Sequence, residues 1–357
     1  MPLMLRTAAP SVESQPMVGD AVLLPRHTLR VGLANLMPDA ALEATERHFL
    51  GLVAAAVSEF DIQVTLIEVA GVNRGSAGAE HMARYYMPVS AIDHHLDALI
   101  VTGTAPTQTD LRRERFWNGL VALFDWASRA VSSTFCSCLA AHAAVLHFHG
   151  IERVAQRRWG VFEHGLVELD APLMTQLPRC LLTPHSRYFG LERNDLIAAG
   201  LRVIVDGEHV GPHLFTSTDG RSFVFSQGHP EYSARTLLRE FLRDTRRAFD
   251  TGAQIPQPPS SYFPEWVNRR IVQLRSGPPG SITVHDLAFL SANEMDLAAP
   301  WRDAAIQLFR NWLLEVTRPR TQQSDKWFEG RRASSNDQGT QNERERRQAV
   351  PQHPRPD

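Results

Sequence analysis

A cysteine at the junction of a predicted strand and a predicted helix gives the strongest chemical signal in this sequence. Residues 132–137 are typical of a strand, and residues 138–149 predict a helix that ends at Gly150. A residue on such a turn lies at the carboxyl end of a sheet, beside the free N–H groups of a helix N-terminus. Both features favour the thiolate, the nucleophilic form of cysteine. We therefore expect Cys138 to be a nucleophile, with the N–H of Leu139 pointing towards the oxyanion formed at the attacked carbonyl group.

Two nearby side chains have plainer interpretations. A buried cysteine is often a small core residue, and Cys136 lies two residues earlier in the same predicted strand. Because Cys136 is inside the strand and not on the turn, we expect it to pack in the core. His142, on the helix that follows, is expected to be buried with its polar atoms satisfied.

A second motif, Gln-Gly-His-Pro-Glu-Tyr at residues 227–232, supplies a histidine and a carboxylate close together. It directly follows a predicted strand over residues 223–226. A histidine oriented by a carboxylate is the common base for an activated nucleophile. We expect His229 to accept the proton of Cys138 and Glu231 to orient His229, since a triad is recognised by geometry and not by chain order.

Strands and helices alternate in the first half of the chain, which predicts a parallel sheet flanked by helices, a three-layer, flavodoxin-like α/β fold. The predicted strands are 29–36, 62–69, 96–102 and 132–137, and the predicted helices are 40–56, capped by Asp39, 116–130 and 138–149. C-terminal α/β additions follow: short strands at 165–168, 181–184, 201–205, 213–217 and 223–226, helices at 234–248 and 301–316, and irregular sequence over 256–300. We expect an N-terminal arm over 1–28, a catalytic domain over 29–317 and a disordered tail over 318–357, whose composition cannot offset its ordering entropy.

The composition is that of an ordinary globular protein of 357 residues, 43% of them hydrophobic and 21% charged. The 37 Lys and Arg residues nearly balance the 39 Asp and Glu residues, so no nucleic-acid partner is expected. Three cysteines cannot form a disulfide framework, which indicates a reducing, cytoplasmic location. The sequence has no apolar run of the ~20 residues that span a bilayer and no signal peptide, so no membrane association is expected. Metal-ligand spacing and phosphate-binding glycine loops are absent, so we expect no metal and no cofactor.

Several motifs resemble, in their order, those of homoserine O-acyltransferases of the MetA type, relatives of the class I glutamine amidotransferases. They include Asn-Leu-Met-Pro at 35–38, Gly-Val-Phe-Glu-His at 160–164, Pro-His-Ser-Arg-Tyr at 184–188, and Gly-His-Pro-Glu-Tyr at 228–232 followed by Glu-Phe-x-Arg-Asp at 240–244. The resemblance implies a class I glutamine amidotransferase-like fold. It also implies a ping-pong transfer of an acyl group from acyl-CoA, a co-substrate, to the hydroxyl of L-homoserine, in methionine biosynthesis. The oligomeric state is left open, a homodimer included.

The resemblance also implies roles for individual residues. Cys138 would carry the acyl group as a thioester, with the histidine and glutamate of the second motif as base and orienting acid. Arg243 would bind the carboxylate of the acceptor, and Ser186 matches a substrate-contacting position. Arg157 stands where many relatives have a substrate-binding lysine, and arginine keeps the charge but not the shape.

The loop at residues 104–108 is similar to the one that selects the acyl group in the family, where a Glu accompanies acetyl and a Gly accompanies succinyl. Here Thr107 or Gln108 occupies that position, and neither is charged. We therefore expect the loop to accept the free carboxylate of a succinyl group, which places succinyl-CoA ahead of acetyl-CoA. Residues 265–300 look like an insertion relative to the family.

Three alternative functions stay open. Acetyl-CoA as donor makes the chain a homoserine O-acetyltransferase. Departures from the family pattern at Ala40 and Arg157 leave room for a serine O-acyltransferase. A glutamine amidotransferase-like hydrolase would use the same cysteine, histidine and glutamate, but it usually needs a synthetase partner and lacks the Glu-Phe-x-Arg-Asp helix.

Overall fold

A computed structural model describes residues 3–6, 27–278, 283, 285–286 and 297–318 of the chain. The expected tail over 318–357 lies outside these residues except for Arg318, and the insertion over 265–300 is described only in part. The described residues up to Thr317 belong to one compact unit. The boundaries of the catalytic domain and the disorder of the tail stay predictions.

One sheet of eleven strands runs through the described residues. The strands are β1 (Leu3–Arg6), β2 (Thr28–Ala34), β3 (Asp61–Glu68), β4 (Tyr86–Pro88), β5 (Leu96–Val101), β6 (Val131–Ser137), β7 (Val154–Leu166), β8 (Cys180–Gly190), β9 (Arg202–Gly207), β10 (Gly211–Thr216) and β11 (Phe223–Ser226). Their order is β1-β3-β2-β5-β6-β11-β10-β9-β7-β8, and β4 pairs with β3. Neighbours from β1 to β11 are parallel, whereas β10, β9, β7 and β8 continue the sheet with antiparallel pairs.

Helices cover the parallel part of the sheet. Their bounds are α1 (Asp39–Ala56), α2 (Ser76–Tyr85), α3 (Trp117–Ala130), α4 (Leu139–His149), α5 (Arg193–Ala198), α6 (Thr236–Thr251), α7 (Glu265–Ser276) and α8 (Arg302–Thr317). α1 and α8 pack together over the face that Phe135 of β6 presents, where Phe309 and Trp312 contact its ring. α3 and α4 pack against each other and against β6. The mostly parallel sheet flanked by helices confirms the predicted fold class.

The central strands are nearly continuous apolar runs because both of their faces are covered. In β5, for example, every residue except Asp97 is buried. None of the helices in the described part of the chain is long and apolar enough to span a membrane.

The predicted cap of α1 is wrong. The residue before the helix is Pro38, no side chain caps the helix, and Asp39 is its first residue. The Asp39 carboxylate accepts the backbone N–H of Gly75 at 2.7 Å instead. A long-range partner has therefore replaced the local one that the sequence suggested.

Elements after Gly150 differ most from prediction. In place of the two short strands expected at 165–168 and 181–184 the structure has the longer hairpin of β7 and β8. The many charged residues of this hairpin obscure the alternation of apolar and polar residues by which a strand is recognised in a sequence. α7 lies in a segment expected to be irregular; its buried Val267 and Ile271 belong to the core beside α6, and the partly buried Leu274 packs against the same cluster. The sequence also indicated no helix at α2 and only a loose arm where β1 pairs with β3.

Candidate active site

Cys138 lies on the turn between β6 and α4, as the sequence predicted. Its backbone has φ 51° and ψ −110°, and the positive φ is uncommon for a residue other than glycine. Such a conformation costs on the order of 1–3 kcal/mol and persists only when its surroundings hold it. The N–H of Cys138 donates to the carbonyl of Ser226 at 2.7 Å, so β11 fixes the turn from the neighbouring strand. The thiol therefore stands at the carboxyl end of the central parallel strands.

Leu139 is the first residue of α4, so its N–H is among those without a partner inside the helix. A Cβ added to Gly103 would lie 3.2 Å from both the Leu139 nitrogen and the Cys138 Cβ. The start of the 104–108 loop therefore passes directly over the nucleophile turn. The role of the Leu139 N–H in binding an oxyanion stays a prediction.

The other residues of this segment are structural. Cys136 is fully buried inside β6, and burial raises the pKa of its thiol well above the ordinary value, which disfavours the thiolate. His142 on α4 is buried, and its Nε2 pairs with Oε1 of Gln227 at 2.9 Å. Burial lowers the pKa of His142 to about 3, so this imidazole is neutral.

His229 and Glu231 form a buried pair beyond the end of β11. Nδ1 of His229 lies 2.8 Å from Oε1 of Glu231, and the backbone N–H of His229 donates to the carbonyl of Pro184 at 2.8 Å. Nε2 of His229 is buried, and the one described side chain that interacts with it is the thiol of Cys138. Burial acts to lower the pKa of His229, but the charges of Glu231 and Cys138 raise it well above the ordinary value.

Gly228 explains how the His229 turn comes so close to the sheet. A Cβ added there would lie 2.6 Å from Cγ2 of Thr183 and 2.9 Å from Nε2 of His185. Real Cβ atoms do not approach neighbours so closely, so only glycine fits at this position. The backbone N–H of Gly228 also contacts Nδ1 of His213 at 3.3 Å.

Three buried histidines, His164, His185 and His213, pack together beside the turn that carries Gly228 and His229. Their rings lie 5.0 to 5.6 Å apart, centroid to centroid. Burial lowers the pKa of each, to about 4 for His164 and well below the ordinary value for the other two. In the part of the chain that the structure describes, no group of three His, Cys, Asp or Glu side chains is arranged to hold a metal ion.

Glu240 of α6 joins three side chains at one end of the site. Its Oε2 accepts the hydroxyl of Ser186 at 2.8 Å and the indole N–H of Trp159 at 3.0 Å. Its Oε1 accepts the hydroxyl of Tyr232 at 2.7 Å. Ser186 is therefore a strand residue held by a carboxylate, not a turn or capping serine.

The two predicted cations stand at the more exposed end of the site. Arg243 follows Glu240 by one helical turn on α6, and its side chain is 64% exposed, with Nε donating to Asp244 at 2.9 Å. The guanidinium of Arg157 lies between two aromatic rings, 5.5 Å from the centroids of both Trp159 and Tyr188. Both cations are thus accessible to an anionic ligand.

The 104–108 loop differs from expectation because a buried carboxylate holds it. Glu114 is 8% exposed and accepts the backbone N–H groups of Thr107 and Gln108, the latter at 2.7 Å. It also accepts the Thr107 hydroxyl at 3.1 Å. The guanidinium of Arg153 donates to the carbonyls of Gln108 and Thr109 at 2.9 and 2.8 Å. Glu114 therefore already takes three donors of this loop, and the role of the loop in selecting the acyl group stays a prediction.

Sequence reasoning missed Glu114, Trp159, Tyr232 and Glu240 as parts of the site. Tyr232 and Glu240 stand inside the motifs already noted, so their motif membership is the signal that was available. Glu114 lies in a charged run that resembles any solvated segment, and nothing local reveals its contact with the loop.

Comparisons of the sequence with known proteins agree on one family. The homoserine O-succinyltransferase family matches residues 24–321 of this chain. The homoserine O-succinyltransferase of Methylococcus capsulatus is 38% identical over 340 residues, covering 88% of this chain and 93% of the relative. That of Cardiobacterium hominis is 39% identical over 293 residues, covering 80% and 81%. Among solved structures, the chain is similar to a glutamine amidotransferase from Thermotoga maritima, with 10% identity and a TM-score of 0.45 over 82% of this chain and 100% of that one.

Proposed function

The chain belongs to the homoserine O-succinyltransferase family, and on that basis we propose that it transfers the succinyl group of succinyl-CoA to the hydroxyl of L-homoserine, in methionine biosynthesis. The observation that carries this proposal is the family match over residues 24–321, which include every residue of the candidate site. Membership of this family makes the protein an acyltransferase enzyme. The chemical route below is inferred from the geometry of the pocket.

In the first half-reaction, the sulfur of Cys138 attacks the thioester carbonyl of the donor. Nε2 of His229 accepts the thiol proton, since this atom is buried without another partner among the described residues. The carbonyl oxygen becomes an oxyanion beside the N–H of Leu139. When the oxyanion collapses, the bond to the CoA sulfur breaks, and the CoA thiolate takes the proton from His229. Cys138 then carries the succinyl group as a thioester.

In the second half-reaction, the acceptor hydroxyl attacks the thioester on Cys138. His229 accepts the hydroxyl proton as the new C–O bond forms, and the cysteine sulfur leaves and recovers that proton. Glu231 keeps Nδ1 of His229 in a hydrogen bond of 2.8 Å throughout, so Nε2 is the atom that exchanges protons. The two half-reactions make a ping-pong cycle.

Side chains around the pocket suit an amino-acid acceptor. Arg243 is exposed, and a guanidinium fork is the shape that binds a carboxylate through two hydrogen bonds. Ser186 of β8 donates a hydrogen bond to Glu240, which lies on the same helix, α6, as Arg243. Arg157, stacked between two aromatic rings, offers a second positive charge.

Succinyl as the acyl group is supported by the names of the relatives, not by the 104–108 loop. The donors of Thr107 and Gln108 that we expected to meet the succinyl carboxylate are already bound to Glu114. An assay should therefore compare succinyl-CoA with acetyl-CoA as the donor, and L-homoserine with serine as the acceptor.

The test separates the two half-reactions. Enzyme mixed with succinyl-CoA alone should release one equivalent of CoA and gain one succinyl group, which peptide fragmentation places on Cys138. L-homoserine should then discharge the label as O-succinylhomoserine, faster than serine does. Cys138→Ala should take up no label, whereas Cys136→Ala, the matched control two residues away, should still be labelled. A label on Cys136, or full turnover by Cys138→Ala, would disprove the route.

A further inference from the structure

The ring of Tyr232 lies flat against the imidazole of His229. The two ring centroids are 4.3 Å apart, and the ring planes are inclined by only 20°. The hydrogen bond from His229 to Glu231 holds one edge of the imidazole. A hydrogen bond at one edge still allows the ring to tilt, and the stacked phenol blocks that motion on one side.

Tyr232 is itself fixed at both ends. Its backbone carbonyl accepts the indole N–H of Trp301 at 2.8 Å, and Trp301 is buried. Its hydroxyl donates to Glu240 at 2.7 Å. We call these three residues, Trp301, Tyr232 and Glu240, the brace. Because Trp301 holds the backbone of Tyr232 and Glu240 holds its hydroxyl, the ring cannot slide off the imidazole without breaking the hydrogen bond to Glu240.

The brace also reaches the opposite end of the pocket. The second oxygen of Glu240 accepts hydrogen bonds from Ser186 and Trp159, on the neighbouring strands β8 and β7. All three groups that donate to Glu240 are neutral, so its carboxylate is held by geometry and not by an ion pair. One carboxylate therefore ties the Tyr232 ring to the part of the pocket where the acceptor is expected.

We propose that Tyr232 is a positioning residue for the general base, and that the brace fixes the plane of the His229 imidazole. In that plane Nδ1 stays on Glu231 and Nε2 stays directed at the reacting atoms. This inference rests on the proposed function, because it requires His229 to be the base. Tyr232 itself exchanges no proton, since its hydroxyl is committed to Glu240.

The brace has a measurable consequence for titration as well as for rate. The titratable groups that face His229 are Glu231, Cys138, Tyr232, His185 and His213. Among these, the negative charges of Glu231 and Cys138 hold the pKa of His229 above its ordinary value. An imidazole that tilts away from Glu231 loses part of that effect, so its pKa falls.

The experiment compares Tyr232→Phe, Tyr232→Leu and the parent enzyme. We expect Tyr232→Leu, which removes the stacked ring, to lower kcat about 10- to 100-fold, since misplacement by about 1 Å can cost a factor of 100. Tyr232→Phe keeps the ring and loses only the Glu240 bond, so it should recover most of that loss. In both variants the KM for each substrate should stay within about threefold of the parent value. The pH midpoint assigned to His229 should move down in Tyr232→Leu.

Tyr262→Phe is the matched control. The Tyr262 hydroxyl also bonds to the α6 region, at Leu238 and Ala234, but its ring is not stacked on His229. This variant should keep the kcat and the pH midpoint of the parent, which separates loss of the brace from loss of any tyrosine hydroxyl in this region.

Two results would overturn the inference. One is a folded Tyr232→Leu with the kcat and pH midpoint of the parent. The other is a loss confined to KM, which would make Tyr232 a substrate-binding residue. If Tyr232→Leu does not fold, Tyr232→Met, an unbranched side chain without a ring, takes its place: the kcat and pH midpoint of the parent in folded Tyr232→Met would reject the brace. The succinyl label on Cys138 of the parent is a separate readout, so failure of the proposed function is distinguishable from failure of this inference.

Discussion

The charges around His229 decide how the proposed triad titrates. Burial acts to lower the pKa of this histidine, and the negative charges of Glu231 and Cys138, together with their hydrogen bonds to the imidazole, reverse that effect. The pair of His229 and Glu231 therefore does two things at once. It orients the imidazole, and it keeps a proton stable on an imidazole that is only 9% exposed.

Replacing Glu231 by glutamine tests this balance. Glutamine keeps the size and one acceptor oxygen but removes the charge, so burial dominates and the pKa of His229 falls. We expect the pH midpoint of kcat to move down, and kcat at neutral pH to drop about 10- to 100-fold, less than the roughly 100- to 10,000-fold that general acid–base catalysis usually contributes, because His229 itself is kept. Steady-state kinetics between pH 5 and 9 measure both quantities. Each unit by which the pKa shifts corresponds to a change of about 1.4 kcal/mol in the free-energy difference between the charged and the neutral imidazole.

Glu80→Gln is the control for Glu231→Gln, because Glu80 is an exposed acid on α2. It should leave the midpoint where it is. A midpoint that stays constant in Glu231→Gln would show that the charge of Glu231 does not set the titration of His229.

At the scale of elements, the loop at residues 104–108 is a fixed wall of the pocket. Glu114, next to the short turn at Leu111–Arg113, binds two of its N–H groups, and Arg153 binds two carbonyls from the other side. The loop also begins against the Cys138 turn, where a Cβ at Gly103 would lie only 3.2 Å from its neighbours. The family resemblance assigns this loop to the acyl group, so a charge placed on it tests whether the loop selects the donor.

Glutamate in place of Thr107 or Gln108 should change the choice of donor. Two negative charges 4 Å apart repel by about 4 kcal/mol at an effective dielectric of about 20, which is an upper guide. A third of that energy shifts a ratio about tenfold. We expect at least one of Thr107→Glu and Gln108→Glu to lower kcat/KM for succinyl-CoA about tenfold relative to acetyl-CoA, because succinyl carries a second carboxylate.

Gln108→Met is the neutral control of similar size, and it should keep the donor ratio of the parent. A new glutamate on this loop would also repel the carboxylate of Glu114, which could destabilise the fold. The thermal unfolding temperature of each variant should therefore be measured together with the kinetics. Identical donor ratios in the parent and in both folded glutamate variants would mean that the loop does not select the acyl group.

At the scale of the whole molecule, buried neutral histidines make the fold sensitive to acid. Burial lowers the pKa of His142 to about 3 and that of His164 to about 4, while His185 and His213 are also shifted well down. In the unfolded chain these groups titrate near pH 6.5. Between pH 6.5 and 4 the unfolded state therefore binds more protons than the folded state, and the free energy of unfolding falls as the pH is lowered.

Removing one of these histidines tests the linkage. The stability that the fold gains by keeping these histidines neutral is fully present above pH 6.5. It is lost as the pH falls from 6.5 towards the lower pKa that each histidine has in the folded state. We expect His142→Gln to reduce the dependence of the unfolding free energy on pH by about 1.4 kcal/mol per pH unit at most, the value for one proton. Urea unfolding at a series of pH values from 7 to 4.5 measures this slope.

His209→Gln is the control for that slope, because His209 is exposed. It should leave the pH dependence unchanged. If His142→Gln and the parent have equal slopes over the same range, His142 does not contribute to the acid sensitivity.

The sequence by itself determined the features that depend on neighbours along the chain. The turn at Cys138, the His229–Glu231 pair two residues apart, and the alternation of strands and helices that makes the parallel sheet are all local patterns. Each needs only a few adjacent residues, so composition and spacing are enough to predict it. The motif resemblance added the family, which the comparisons confirm.

Only the tertiary structure decided which distant groups meet. Glu240 receives Trp159 from 81 residues away and Ser186 from 54 residues away. Glu114 takes the loop donors that the sequence left free for substrate, and β7 and β8 extend well beyond their predicted ends. Contacts of this kind form when packed elements bring chain segments together and offset the entropy of closing long loops. No local pattern records them, because either partner alone looks like an ordinary polar residue.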